Sequence, residues 1–137
     1  LREFVKESVY KDLYPQTTND MHLGKMVHMI ASQGFAWLAE HDGQAIGLLL
    51  ATKEPNMWAP SQRQMRELVW YVRPDHRHGV TAGRLFLEYC NAAEQLLQQG
   101  EIQGYFTTRM TSTHDINLER RGFKLMEQTY LKELKEH

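Results

Sequence analysis

Residues 67–86 read ELVWYVRPDHRHGVTAGRLF, and two kinds of chemistry are legible in them. Glu67 is the one ionisable residue inside the apolar run that leads to Val72. A carboxyl buried in such a run has a raised pKa, which suits it to take a proton from a nucleophile. The competing reading pairs Glu67 with Arg66, Arg63 or Lys53 at a strand end. Further along, Gly79, Thr81, Ala82 and Gly83 fall at the start of a helix. Glycine costs about 1 kcal/mol relative to alanine inside a helix, so two of them here call for a reason. Small residues let another molecule approach the backbone closely. The first-turn amides have no helical partner and the helix dipole adds positive charge, so the place suits a phosphate. Arg77 and Arg84 bracket it with charge-assisted donors. The plainer alternative is a helix with indifferent capping and two surface arginines.

The elements that must position these groups follow from periodicity. Leu1, Phe4, Val5, Val9 and Leu13 recur at near-helical spacing until Pro15. A second helix starts from Asn19 or Asp20, sets Leu23, Met26, Val27 and Ile30 on one face, and ends at Gly34. Phe35–Glu40 and Ala45–Thr52 flank Asp42-Gly43 as a hairpin. Residues 53–64, with two prolines and no period, read as a long loop of the kind that borders functional sites. Arg66–Val72 reads as an interior strand. Ala82, Leu85, Phe86, Tyr89, Ala93, Leu96 and Leu97 mark the apolar stripe of a long helix closed by Gly100. Ile102–Thr108 is a strand, Ser112–Arg120 a short helix running into Gly122-Phe123, and Lys124–Leu134 a last strand. The strand–helix–strand unit at 66–108 requires a parallel pair. With 137 residues and no linker or repeat, the chain is expected to form one α/β domain over 1–137.

Composition narrows the class. Sixteen Lys and Arg against seventeen Asp and Glu leave no basic excess, which weighs against a nucleic-acid partner. The longest apolar run, residues 45–51, is far short of the roughly 20 residues a membrane helix needs. A single cysteine, Cys90, excludes an internal disulfide or a multi-cysteine zinc site and fits a reducing, cytoplasmic setting.

The 67–86 segment resembles the acetyl-CoA-binding core of the GNAT superfamily of N-acetyltransferases. The match is Tyr71-Val72-Arg73-Pro74-Asp75-His76 followed by Arg77-His78-Gly79-Val80-Thr81-Ala82, with a second family landmark at Gly122-Phe123. The element order agrees over nearly the whole chain except for a first strand, which is expected to be missing. The resemblance implies a mixed, mostly antiparallel sheet with a central parallel strand pair and flanking helices. It implies acetyl-CoA as co-substrate, with the pantetheine arm bonded to backbone near Tyr71 and Val72. The pyrophosphate would sit on residues from Arg77 and His78 through Gly79, Val80, Thr81, Ala82 and Gly83 to Arg84. It implies direct attack by a primary amine of a small molecule or protein, and it matches Glu67 to a strand glutamate that some members use as base. A lysine-like amine is neutral about once in a thousand near pH 7.4, a cost of roughly 4 kcal/mol that a base must help offset. A homodimer is a family tendency.

Three departures matter. Val80 stands where the family most often has the first loop glycine. Leu118 occupies the position of the usual general-acid tyrosine, leaving Tyr71, Tyr105, Tyr130 or a water. Thr111 stands near an asparagine position. Leu118 and Val80 favour a second reading, a non-catalytic acyl-CoA-binding sensor. A third is an unrelated interaction or nucleic-acid-binding domain. His76 and His78 beside Asp75 lack an evident third ligand, so no metal is expected. His114 reads as surface or base, and Cys90 as packing. Trp58 reads either as lining an acceptor pocket or as packing over the sheet edge. The acceptor pocket is expected near residues 13–22, 53–64 and the segment after Arg109, with Asp12, Asp20 and Glu54 available to a cationic amine.

Overall fold

The computed structural model describes residues 20–108 and 117–132. Helix α1 (Asp20–Gln33) leads into β1 (Phe35–His41), β2 (Gln44–Pro55) and β3 (Arg63–Val72). A 3₁₀ turn (Pro74–His76) then precedes α2 (Thr81–Gln98), β4 (Gly104–Phe106) and a second 3₁₀ turn (Glu119–Arg121). The sheet order is β1-β2-β3-β4, antiparallel except for the parallel β3–β4 pair that α2 connects. This is the mixed α/β sheet with flanking helices expected from the sequence.

Local chemistry accounts for the joints. Asp42 and Gly43 both have positive φ (51° and 76°), the conformation of a type I′ hairpin turn. The second hairpin is longer than its sequence implies. Thr52–Pro55 pair with Arg63–Arg66, so the expected loop over 53–64 shrinks to residues 56–62. The Asn56 side chain accepts the Trp58 and Ala59 amides (2.8 and 3.1 Å) and donates to Gln64 (3.0 Å), which fixes that turn. Gly122 takes the left-handed conformation (φ 91°), and the Phe123 amide reaches back to the Leu118 carbonyl (3.1 Å). That turn folds Phe123 against Phe86 and Tyr105, which explains the Gly-Phe pair physically.

Helices cover both faces. Leu85, Phe86, Tyr89 and Ala93 of α2 pack on Leu49, Ala51, Met65, Val72 and Ile102. Ile30 of α1 packs on Leu50 and Val69 opposite. Gly34 is required by close approach: a Cβ there would lie 2.4 Å from the Ala51 carbonyl oxygen. Gly34→Ala should therefore cost about 1–3 kcal/mol, seen as a lower thermal midpoint with unchanged far-UV circular dichroism.

Residues 124–132, expected as a strand, form none and pair with no described strand, and Leu125, Met126, Tyr130 and Leu131 lie exposed. The helical pattern at 1–13 and residues 112–116 of the helix expected over Ser112–Arg120 fall outside the described residues; the described end of that helix is the 3₁₀ turn Glu119–Arg121. Among the described residues, no helix is long and apolar enough to cross a membrane.

Candidate active site

The site is built where two parallel strands part. β3 and β4 pair at Gln64↔Gly104, Met65↔Tyr105 and Arg66↔Phe106, and there the ladder ends. β3 continues to Val72, paired with β2 on one side and with no described strand on the other. An extended strand with one open edge is a template for any ligand that carries amide groups in line.

A bulge aims the side chains along this edge. Leu50 pairs with Val69 and Ala51 with Glu67, which leaves Leu68 without a partner. Strict alternation would put Met65, Glu67, Val69 and Tyr71 on one face. The extra residue inverts it: Met65 joins the α2-side core, Val69 and Tyr71 the α1 side, and Trp70 and Val72 the α2 side again. Trp70 stacks on Phe86 (4.7 Å between centroids) and its indole N–H donates to the Ala82 carbonyl (3.1 Å), fixing the first turn of α2 against β3.

Glu67 sits at the vertex. It is the buried charged residue of the described chain, 5% exposed. Its Oε2 accepts the Thr108 amide (3.1 Å) and the Thr107 hydroxyl (3.3 Å), both just past the end of β4. Burial raises its pKa to about 7; the two hydrogen bonds oppose that only in part. The ion-pair alternative fails. Arg66 bonds to Glu54 (2.8 Å) and stacks over Phe106 (4.7 Å), while Lys53 reaches Glu101 (3.6 Å). Burial works against the Glu54 carboxylate, but Arg66 and Gln64 prevail and hold its pKa below the ordinary value.

At the other end of the open edge lie Tyr71 and Val72, then the turn Arg77–Val80, then Thr81–Arg84 as the first turn of α2. The fold thus sets the ten residues singled out from the sequence in one strand–turn–helix succession, with Val72 itself buried in the core. No side chain caps the start of α2, where Val80 is the N-cap. A Cβ on Gly83 would meet nothing within 4 Å, and one on Gly79 would come no closer than 3.9 Å to protein. Packing among the described residues does not call for either glycine. Arg77 stacks over Tyr71 (5.1 Å) and its Nε donates to the Val72 carbonyl (2.6 Å). Since the Arg73 amide bonds to Ile46 on β2, alternation turns the Val72 backbone toward the open edge. Arg77 therefore holds one of the groups an added ligand would use.

The remaining sequence candidates separate. Tyr105 donates to Glu94 (2.8 Å) with its pKa raised chiefly by burial, and Tyr130 is exposed beside Gln128. Leu118 packs on the core. His76 lies near Asp75 (3.7 Å) and against His41 (5.4 Å between rings). Cys90 is half-buried against the core, its thiol pushed up by burial. Trp58 is 87% exposed, so it does not pack over the sheet edge. Asp12, Arg109, Thr111 and His114 fall outside the described residues, as does the side chain of Asp20. Sequence reasoning missed Thr107, Thr108 and the bulge at Leu68. A pair of threonines ending a strand carries no mark of a carboxylate partner.

No protein-family model matches the sequence, and no curated protein matches it. Solved structures do match in shape. A GNAT family acetyltransferase from Staphylococcus aureus aligns over 93% of this chain and 86% of its own, at 18% identity and a TM-score of 0.59. A protein described as a predicted acetyltransferase from Clostridium acetobutylicum, solved with acetyl-CoA, aligns over 86% and 76%, at 15% identity and a TM-score of 0.61. One described as a transcriptional regulator from Bacillus halodurans aligns over 97% and 90%, at 14% identity and a TM-score of 0.69.

Proposed function

We propose, from the premise that this chain has the GNAT acetyltransferase fold, that it transfers an acetyl group from acetyl-CoA to a primary amine. The observation that carries the reading is the open edge of β3, which runs from a buried carboxyl at Glu67 into a glycine-bearing, uncapped helix start. Acetyl-CoA would supply an acetyl thioester, the acyl donor. The residues present suit it. Val72 offers edge backbone to its amide-bearing arm, once Arg77 releases the Val72 carbonyl, while Tyr71 beside it turns its own backbone toward β2. The amides from His78 to Gly83, open at Gly79 and Gly83 and flanked by Arg77 and Arg84, suit its diphosphate. Glu67 then accepts the proton that an alkylammonium acceptor must lose, directly or through a water. The acceptor is an amine of a small molecule or protein. The test is release of free thiol from acetyl-CoA across amines, polyamines, aminoglycosides and peptides; no release with any amine would contradict transfer.

Gly83 gives a separate check on the cofactor site. Gly83→Ala fills open space and improves helix propensity, so the free protein should gain up to about 1 kcal/mol. The rise in melting temperature on adding coenzyme A should shrink, because the methyl stands where the diphosphate is expected. Differential scanning fluorimetry reads both, and an undiminished coenzyme A shift would remove Gly83 from the site.

A non-catalytic acyl-CoA sensor is the second reading, favoured by Leu118, which packs on the core where a general-acid phenol is usual. Coenzyme A would raise the melting temperature in either case; only the enzyme would release thiol.

A further inference from the structure

Tyr89 lies outside the ligand-facing edge and was legible in the sequence only as part of a helix stripe. Its ring is fully buried and held by Phe86 (6.2 Å between centroids), by the edge of Trp37 (6.3 Å) and by Tyr105 (5.8 Å). A ring so confined places its hydroxyl at one point, and that point is the end of the β3–β4 ladder. The hydroxyl donates to the Phe106 carbonyl on β4 and lies 3.5 Å from the Met65 carbonyl on β3, and the nearby Glu67 backbone eases its ionisation against the stronger push of burial. With one proton to give, it gives it to Phe106; at 3.5 Å the Met65 contact is at the outer limit.

We propose that Tyr89 is a positioning residue of this site, whose hydroxyl replaces the next rung of the β3–β4 ladder and so fixes where the strands part. A direct N–H···O bond holds two strand groups about 2.9 Å apart, whereas one bridging hydroxyl holds them about 4.5 Å apart. The fork therefore opens at Glu67. The carboxyl is kept at the vertex, with Thr107 and Thr108 on the departing strand as its partners. The backbone consequence stands on the hydrogen bonds alone; the catalytic consequence rests on the acetyl-transfer reading.

The test compares the wild type with Tyr89→Phe, which keeps the ring and removes the hydroxyl. In the wild type, the Glu67 amide should exchange at least tenfold more slowly than an unstructured chain of the same sequence, although the ladder has ended. In Tyr89→Phe that protection should change by tenfold or more, and the NMR titration midpoint of the Glu67 carboxyl should move by at least half a pH unit. The acetyl-transfer kcat should fall by about tenfold or more. If the variant melts lower but its Glu67 exchange, Glu67 titration and kcat match the wild type, Tyr89 is mere packing and the proposal is overturned. Should the variant not fold, the wild-type exchange decides: a Glu67 amide that exchanges at the unstructured-chain rate also overturns it. If the wild type transfers no acetyl, the acetyl-transfer reading fails, while exchange and titration still judge the role of Tyr89.

Discussion

Glu67→Gln is expected to lower kcat/KM for acetyl transfer by 10²–10⁴-fold, the range that loss of a general base produces. The substitution is close to isosteric, and the glutamine carbonyl can still accept the Thr108 amide and Thr107 hydroxyl that now bind Oε2. What disappears is the ability to take a proton. Coenzyme A should therefore still raise the melting temperature of the variant by the wild-type amount. In the wild type, kcat/KM should rise with pH through about 7, since the base works only when ionised. The variant should lose that ascending limb. A variant within threefold of wild type, with the same pH profile, would remove Glu67 from the chemistry.

The second large effect is on stability. Burial holds the Glu67 pKa at about 7 in the folded chain against an ordinary 4.5, so between these values the folded state keeps a proton that the unfolded state releases. Stability must then fall as pH rises through this window and level off above 7. The difference corresponds to about 3 kcal/mol. Glu67→Gln has no proton to lose, so denaturant melts at pH 4.5 and 7.5 should differ by about 3 kcal/mol less than in the wild type. Above pH 7 the variant should be the more stable protein. Parallel pH dependence in the two proteins would mean that the Glu67 carboxyl is not desolvated. The same group thus links function and fold: the burial that makes it a competent base weakens the structure at the pH where it would work.

Much of this was readable from particular residues. Asp42-Gly43 marked its turn because paired positive φ angles favour these residue types, and Gly122-Phe123 marked its own for a similar reason. The stripe from Leu85 to Ala93 gave α2, and the apolar run to Val72 gave β3. The bulge at Leu68 left no trace, because a strand covered on both faces shows no alternation for an extra residue to break. The far end of the second hairpin was hidden for another reason. Lys53-Glu54 and Gln64 look like loop residues, yet Glu54 closes hydrogen bonds with Gln64 and Arg66 across the strands. The tail at 124–132 had strand composition but found no described partner, and composition cannot supply one. The hydroxyl of Tyr89 was invisible because helical spacing accounts for its ring alone.

A two-dimensional NMR titration of the labelled protein with acetyl-CoA reads the open edge of β3 and the start of α2 together. Saturable shifts should concentrate on the amides of Glu67 through Val72 and of His78 through Arg84, with the Arg77 side-chain Nε–H released from the Val72 carbonyl. Shifts confined to other elements, or none at millimolar acetyl-CoA, would contradict it.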